Sequence, residues 1–412
     1  MEKEIKHNIP LLDLKREYKF LKKDIDCQLK TCFLTQKWVM GNKLAEFERK
    51  AADYLGAKFA VGVGSGTDAL ILSLRALAFN KYGKVCFNQK DEVITTPFTF
   101  IATAEAIMRA GATPVFTDIN PDTFNIDPFS MKKAVNKNTV GIIPVHLFGL
   151  PCQMEEIARI AKANSLFVIE DCAQAFGSIY KERKVGTLGD AGAFSFFPSK
   201  NIGCYGDGGM ITTNDSKTAE LVRALRDHGQ KRMYNADFIG YNSRLDSIQA
   251  AVLLAKLKYT DRFNALRVKA AQKYNQGLNN IKQIQISSNI LTTHDTRDQR
   301  ESRVTCSERS RTKSRELTTN YRHVYHLYTI KVLSRRNQLL NYLNFNGISA
   351  RIYYPCLLSH MKAFKRAKVS GTIENASKIL PQILTLPIHP FLKDREIAFI
   401  IRHIYRFFAG GK

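Results

Sequence analysis

The chain has 412 residues, 44% of them hydrophobic and 24% charged, which suits two or three globular domains and excludes a chain disordered throughout. Its 62 basic and 37 acidic residues give a net charge of +25, a balance that fits anionic small molecules, nucleic acid or an anionic membrane surface. No basic stripe interleaved with aromatics and no zinc-ligand spacing accompanies this charge, so neither a nucleic-acid partner nor a metal is expected, and solubility with a general attraction for anions accounts for it as well.

The eight cysteines, at 27, 32, 86, 152, 172, 204, 306 and 356, form no C-x-x-C pair, and free thiols in a reducing compartment are expected. The start, Met1-Glu-Lys-Glu-Ile-Lys-His, has no apolar core of a signal peptide, and no run of about 18 apolar residues follows. The expected location is the cytoplasm, without a membrane partner.

In chain order, Ala60-Val-Gly-Val reads as a buried strand, and Asp68 to Leu77 as a helix with Leu70, Leu74 and Leu77 on one face. Buried strands are predicted at Glu92-Val-Ile-Thr-Thr, Thr113-Pro-Val-Phe-Thr-Asp, Val140-Gly-Ile-Ile-Pro-Val and Leu166-Phe-Val-Ile-Glu, with a helix through Ile157, Ile160 and Ala161 before the last. This alternation predicts an α/β domain with a mostly parallel sheet covered on both faces. Beyond about 215 the pattern turns helical: Leu245, Ile248, Val252, Leu253 and Leu257 predict a helix over Ser243 to Tyr259, continuing to about 280. A strand from Tyr325, a helix from Asn337 to Leu343 and a strand from Ser349 predict a smaller α+β region. The predicted domains are 1–260 with an N-terminal arm and 261–412. Within the second, 292–322 is rich in Arg, Ser and Thr with only Val304 and Leu317 as large apolar residues, and is expected to be a flexible basic insertion.

Three segments carry candidate chemistry. In Phe194-Ser-Phe-Phe-Pro-Ser-Lys200-Asn-Ile-Gly-Cys-Tyr-Gly-Asp-Gly-Gly, a lysine follows apolar residues; desolvation would free its amine for a Schiff base, although a surface lysine reads equally well. In Val168-Ile-Glu-Asp171-Cys-Ala-Gln174, a carboxylate stands at the carboxyl end of a strand, where open α/β sheets bind ligands. It suits either a protonated pyridine nitrogen or a helix cap. Gly62-Val-Gly-Ser-Gly66-Thr67-Asp68 opens a helix as an anion cup; with Thr at 67 it completes no dinucleotide fingerprint, and no phosphate loop of the Gly-Lys-Ser/Thr kind is present.

Order and spacing bring these together. With Thr96-Pro-Phe-Thr-Phe-Ile-Ala-Thr, Gly111-Ala-Thr-Pro-Val-Phe-Thr-Asp, Ile143-Pro-Val-His-Leu-Phe-Gly and Gly240-Tyr-Asn-Ser-Arg-Leu-Asp-Ser-Ile-Gln-Ala-Ala, the chain resembles the DegT/DnrJ/EryC1/StrS sugar aminotransferases, of the fold-type I pyridoxal-phosphate enzymes. The likeness runs from Ile9 to about 280 and from Arg322 to the end. It implies a large three-layer domain with a mixed, mostly parallel sheet, and a smaller α+β C-terminal domain. It implies that Lys200 binds pyridoxal 5'-phosphate as an internal aldimine and shuttles the proton, that Asp171 pairs with the pyridine nitrogen, and that Gln174 lies near the phenolic oxygen. Phe100 falls where the family stacks an aromatic on the ring, and Gly66, Thr67 and Ser195 where it holds the phosphate. Asn242 would complete that cup from the neighbouring subunit, implying a homodimer with shared sites. Arg244 is a weaker candidate for substrate contact, with pairing to Asp246 as the plain alternative. The implied reaction moves an amine from L-glutamate to a UDP- or dTDP-linked keto-sugar by ping-pong steps, in amino-sugar and surface-polysaccharide synthesis.

Trp38, His146 and His228 read as structural residues. Two departures from the family pattern stand out: Tyr353-Tyr-Pro-Cys-Leu-Leu-Ser359-His360 displaces a His by one position, and 292–322 replaces a shorter connection. A sugar dehydratase of the same fold, which has His in place of the cofactor lysine, is disfavoured by Lys200. A non-catalytic basic binding protein would need none of Lys200, Asp171, Gln174 and Ser195.

Overall fold

Short apolar runs with alternating side chains must bury both faces, and here they stack into one sheet between two helical layers. The computed structural model describes residues 8–232, 234–286 and 321–410. We number the strands of the main sheet along the chain: β1 (Phe59–Val63), β2 (Glu92–Thr95), β3 (Thr113–Phe116), β4 (Thr139–Ile142), β5 (Phe167–Asp171), β6 (Ala191–Ser195), β7 (Gly209–Thr213) and β8 (Lys368–Val369). Their spatial order is β1-β7-β6-β5-β4-β2-β3-β8. Only β7 runs against its neighbours β1 and β6; the remaining pairs are parallel.

The alternation is explicit in the two cores. Val61, Val63, Val93, Phe167, Ile169 and Ile211 join one cluster, under the helices Gly66–Tyr82 and Ser216–Leu225. Ala60, Ile94, Val168, Phe194 and Met210 join the other, with residues of the helices Asn42–Leu55, Met154–Ala163 and Ser247–Leu257. The architecture is the three-layer α/β one that the resemblance implies, with a mixed, mostly parallel sheet. Since β1, β2, β4, β5 and β6 all point the same way, their carboxyl ends share one edge.

A second core lies around an antiparallel sheet of Ile284–Ile286, Tyr328–Val332 and Ile383–Leu386, packed by the helices Thr260–Leu278, Arg336–Phe345 and Asp394–Ala409. Ile9 belongs to this core, and the Arg16 guanidinium grips both oxygens of Glu396 at 2.9 and 2.7 Å, so the N-terminal segment is tied to the C-terminal helix.

Several expectations need correction. The helix expected over Ser243 to Tyr259 starts at Ser247, because Tyr241 and Ser243 already donate their amides to the carbonyls of Leu225 and Arg226, and it ends at Leu257 before a new helix begins at Thr260. The strand expected from Tyr325 begins at Tyr328, since the amides of Val324 and His326 bind the carbonyls of Gly149 and Phe148. From Ser349 onward only Arg351 bridges to Thr385. The strands β6, β7 and Ile383–Leu386, and the helices Leu14–Thr35, Asn42–Leu55 and Asp394–Ala409, went unread in the sequence. The expected insertion at 292–322 lies outside the described residues except for Tyr321 and Arg322, which are not loop but pair with Tyr180 and Ile179. No described helix is long and apolar enough to cross a membrane.

Glu170 ties the loop after β5 to the sheet. Its Oε1 accepts the amides of Leu188 and Gly189 at 2.7 and 2.8 Å, and its Oε2 accepts the Gly186 amide at 2.9 Å and lies 3.0 Å from His146 Nε2. The Cys152 amide donates to His146 Nδ1, so the imidazole carries its proton on Nε2 and donates it to Glu170. Cys172 is close to this pair, but both ring nitrogens are already used and burial pushes the Cys172 thiol up, away from the thiolate a metal needs. His146 is thus structural, as expected. Glu170→Ala would leave four donors without this partner, two buried and two partly buried, and should destabilise the protein by about 3 kcal/mol in urea unfolding. Glu156→Ala, which removes an exposed pair with Arg159, should cost under about 1 kcal/mol.

Candidate active site

A cavity of about 650 Å³ opens at the shared carboxyl edge of the sheet. Five of the strands that point there deliver residues to it: Ser65, Gly66 and Thr67 after β1, Thr99, Phe100 and Thr103 after β2, Val145 after β4, Asp171 at the end of β5, and Ser195 at the end of β6. Gln174 and Lys200 follow from the loops beyond. Seven of the residues singled out in the sequence therefore line one cavity: Gly66, Thr67, Phe100, Asp171, Gln174, Ser195 and Lys200.

The helix Gly66–Tyr82 starts at the cavity wall, with Ser65 as its N-cap accepting the Asp68 amide at 3.1 Å. Unpaired amides at such a terminus favour an anion. Gly66 is required there, because a Cβ would stand 2.6 Å from Cβ of Ser195. The close approach sets the Ser195 hydroxyl beside the helix start.

Asp171 is buried, and no helix follows it, so the helix-cap reading is wrong. Its Oδ2 accepts from Thr103 Oγ1 at 2.8 Å and its Oδ1 from the Ala173 amide at 3.2 Å. Burial raises its pKa above the usual carboxylate value, opposed by these two bonds and by the charge of Lys200. A cation in the cavity would favour the ionised form further.

Lys200 sits in a turn closed by its own amide on the Phe197 carbonyl. The next residue, Asn201, anchors the turn: its Nδ2 donates to Asn264 Oδ1 at 2.8 Å and to the Val324 carbonyl at 3.1 Å. Among the described residues, the Lys200 Nζ makes no hydrogen bond or ion pair. Burial lowers its pKa to about 8, with Asp171 pulling the other way. A near-neutral pKa on an unpaired amine is the condition for a nucleophile, and the surface-lysine reading fails.

Gln174 Oε1 accepts the Phe148 amide and its Nε2 donates to Tyr354 Oη, both at 2.8 Å. Tyr354 lines the cavity 6.3 Å from the Phe100 ring, and Phe100 remains 53% exposed. Asn242 and Arg244 do not line the cavity of their own chain. Asn242 bridges to Asp227, and Arg244 pairs at 2.8 Å with Asp227 rather than Asp246. Trp38 packs edge-on against Phe33, and His360 is exposed outside the cavity. Sequence reasoning missed Tyr354, Thr103, His326 and Arg267 as cavity residues. Thr103 was within reach, standing inside the Thr96 to Thr103 motif; Arg267 and His326 arrive only by tertiary packing.

A mostly parallel sheet carrying an unpaired lysine and a buried aspartate at its carboxyl edge suits a fold-type I α/β enzyme, and the chain's family and relatives make that enzyme an aminotransferase. The chain belongs to the DegT/DnrJ/EryC1/StrS aminotransferase family, whose model matches residues 20–405. It is 40% identical to a "Pleiotropic regulatory protein" of Geobacillus stearothermophilus, over 98% of this chain and 100% of that one. It is 36% identical to the UDP-N-acetyl-3-dehydro-alpha-D-glucosamine 3-aminotransferase of Acidithiobacillus ferrooxidans, over 98% of each chain. It is also 36% identical to the dTDP-3-amino-3,6-dideoxy-alpha-D-galactopyranose transaminase of Aneurinibacillus thermoaerophilus, over 97% of this chain and 99% of that one. The fold superposes with a TM-score of 0.84 on DesV of S. venezuelae in complex with a ketimine intermediate, at 33% identity over 97% and 98% of the two chains. With NtdA of Bacillus subtilis, solved with its cofactor PMP, the TM-score is 0.83 at 29% identity, over 98% of this chain and 86% of that one.

The residues present fit a pyridoxal-type cofactor: a free amine, a buried carboxylate to meet a ring cation, and a glycine-opened helix start for a phosphate. From the pKa of Lys200, uptake of pyridoxal phosphate by the cofactor-free protein should speed up as pH rises through about 8 and level off above it, rather than near 10.5. Asp171→Asn removes the charge that raises the Lys200 pKa and should move this midpoint down. Stopped-flow absorbance against pH measures both, and a midpoint above 10 would contradict the desolvated amine.

Proposed function

We propose that this protein transfers the amino group of L-glutamate to a nucleotide-linked keto-sugar, UDP- or dTDP-borne, with pyridoxal 5'-phosphate as cofactor and Lys200 as the catalytic residue. The observation that carries the reading is the unpaired Nζ of Lys200 in one cavity with buried Asp171. The named relatives with UDP- and dTDP-sugar aminotransferase activities support the substrate class. When bound, the cofactor supplies an aldehyde carbon and an electron-withdrawing ring for amino transfer in two half-reactions.

The chain's own residues do the rest. With the cofactor bound, Lys200 Nζ would be the group that holds it, and as a free amine it would take and return the proton at the substrate carbon. Asp171 would pair with the ring nitrogen and favour its protonated form, and Thr103 holds that carboxylate through its hydroxyl. Gln174, held by the Phe148 amide and bonded to Tyr354, would lie near the ring oxygen. Gly66, Thr67 and Ser195 would receive the phosphate, and Phe100 would cover one ring face. Asn242 serves the site of a partner subunit in a homodimer. We assign residues 1–260 to the cofactor-binding unit and 261–412 to the smaller one. The reading places the enzyme in the cytoplasm, in amino-sugar supply for surface polysaccharide, and invokes no nucleic-acid or membrane partner.

Purified holoprotein should show a visible cofactor band that L-glutamate bleaches and a UDP- or dTDP-keto-sugar restores. Lys200→Ala should lack the bleaching step and lose at least about a hundred- to ten-thousandfold in turnover. A folded wild-type protein without the band, or with a band that glutamate leaves unchanged, defeats the reading. The shared site has its own check. Lys200→Ala and Asn242→Asp subunits, each impaired alone, should regain activity when mixed and refolded together, because one site of the hybrid then holds both native residues. No recovery would place Asn242 outside the partner's site.

A further inference from the structure

Arg267, on the helix Thr260–Leu278, is only 1% exposed and lines the same cavity as Lys200. Its Nη1 donates to the Ile388 carbonyl at 2.9 Å and more weakly to the Tyr325 carbonyl at 3.4 Å. Its Nε is buried without an acceptor, and among the described residues Nη2 has none either. The fold supplies a carboxylate to its other deeply buried cations: Arg226 has Glu48 at 2.5 Å and Lys256 has Glu17 at 2.5 Å. Arg267 has no such partner. Glu17, the one acid that acts on it, is already taken by Lys256. Burial lowers the Arg267 pKa to about 10, which still leaves it charged at neutral pH.

A buried guanidinium without a counter-ion is costly, and the cost falls when an anion enters beside it. Arg267 and Lys200 share a neighbour in buried His326, whose pKa both cations push down after burial itself, so the two charges converge on one part of the cavity. Apolar residues line much of the cavity, among them Leu11, Leu12, Leu327, Ile352 and Ile388, the last in contact with Arg267 through its carbonyl. This combination, one free guanidinium edge beside methylene-friendly surface, matches a short carboxylic acid. A diphosphate would need several donors, and Arg267 has most of its own committed or buried.

We propose that Arg267 binds a carboxylate of the amino donor, a 2-amino dicarboxylic acid, and so holds its amine toward Lys200. The assignment rests on the amino-transfer reading above and extends it to a residue for donor recognition. It is tested with glutarate, a dicarboxylate that has no amine to react, titrated calorimetrically into holoprotein. Arg267→Gln keeps an amide donor for the Ile388 carbonyl but loses the charge, and should weaken glutarate binding about 10- to 100-fold. Arg267→Lys keeps a buried cation without the planar edge and should fall between this variant and wild type. Uridine diphosphate binding should change less than about threefold in both. Cofactor content matching wild type shows that the site has folded. If Arg267→Gln loses the cofactor, the Arg267→Lys titration decides. Unchanged glutarate affinity in a cofactor-loaded variant overturns the assignment, as does wild-type holoprotein that fails to bind glutarate. Weakened uridine diphosphate binding with intact glutarate binding also overturns it, since the guanidinium would then serve the nucleotide. Bleaching of the wild-type band by L-glutamate is read separately, so a protein that bleaches but binds glutarate independently of Arg267 loses this inference alone.

Discussion

An amine and a carboxylate that share one cavity tend to collapse into an ion pair, and the active site of this protein depends on preventing that. Asp171 spends one oxygen on Thr103 and the other on the Ala173 amide, while the Lys200 amine is left without an acceptor. The two groups still feel each other: the charge of each opposes the shift that burial imposes on the other. Their mutual influence is therefore electrostatic without being a contact. An amine in that position stays available for chemistry, and a carboxylate in that position stays available for a ring cation.

The neighbouring carboxylate shows how environment separates two roles. Glu170 and Asp171 are consecutive in β5, so their side chains leave opposite faces of the strand. Glu170 meets three backbone amides and an imidazole, which use its oxygens fully and hold the segment from Gly186 to Gly189 against the sheet. Asp171 receives two donors and faces a cavity. The same chemistry is thus structural on one face and functional on the other. Placement at a strand end makes the difference, because the edge where parallel strands terminate is where backbone groups and side chains are left for a ligand.

Much of this was legible in the sequence. The runs at Ala60, Glu92, Thr113, Val140 and Leu166 formed strands because each is buried on both faces and bounded by turn residues, and seven candidate residues line one cavity because each follows a strand with a common direction. What went unread has physical reasons. β6 and β7 contain Ala, Gly and Thr where bulky apolar residues were sought, and Gly209 is small because a Cβ there would stand 2.2 Å from the Ser65 carbonyl oxygen. The segment from Ser243 has a helical pattern of apolar residues, but its first amides are claimed by Leu225 and Arg226, a long-range demand that no local periodicity records. Tyr354 reaches Gln174 across 180 residues of sequence, and nothing near Gln174 announces it.

Charge illustrates the same limit from another side. The net charge of +25 invites an argument for anion binding from composition, yet the cavity holds acids as well as bases, with Asp171 and Asp207 beside Lys200 and Arg267. Exposed charges are screened over about 10 Å in salt, whereas buried ones act at close range in a poorly polarisable medium. Surface excess can draw an anionic substrate toward the protein. Selection within the cavity has to come from where individual charges stand and which of them lack partners. By that criterion the many surface lysines and arginines count for little, and the cations inside the cavity without a carboxylate contact, Lys200 and Arg267, count for most.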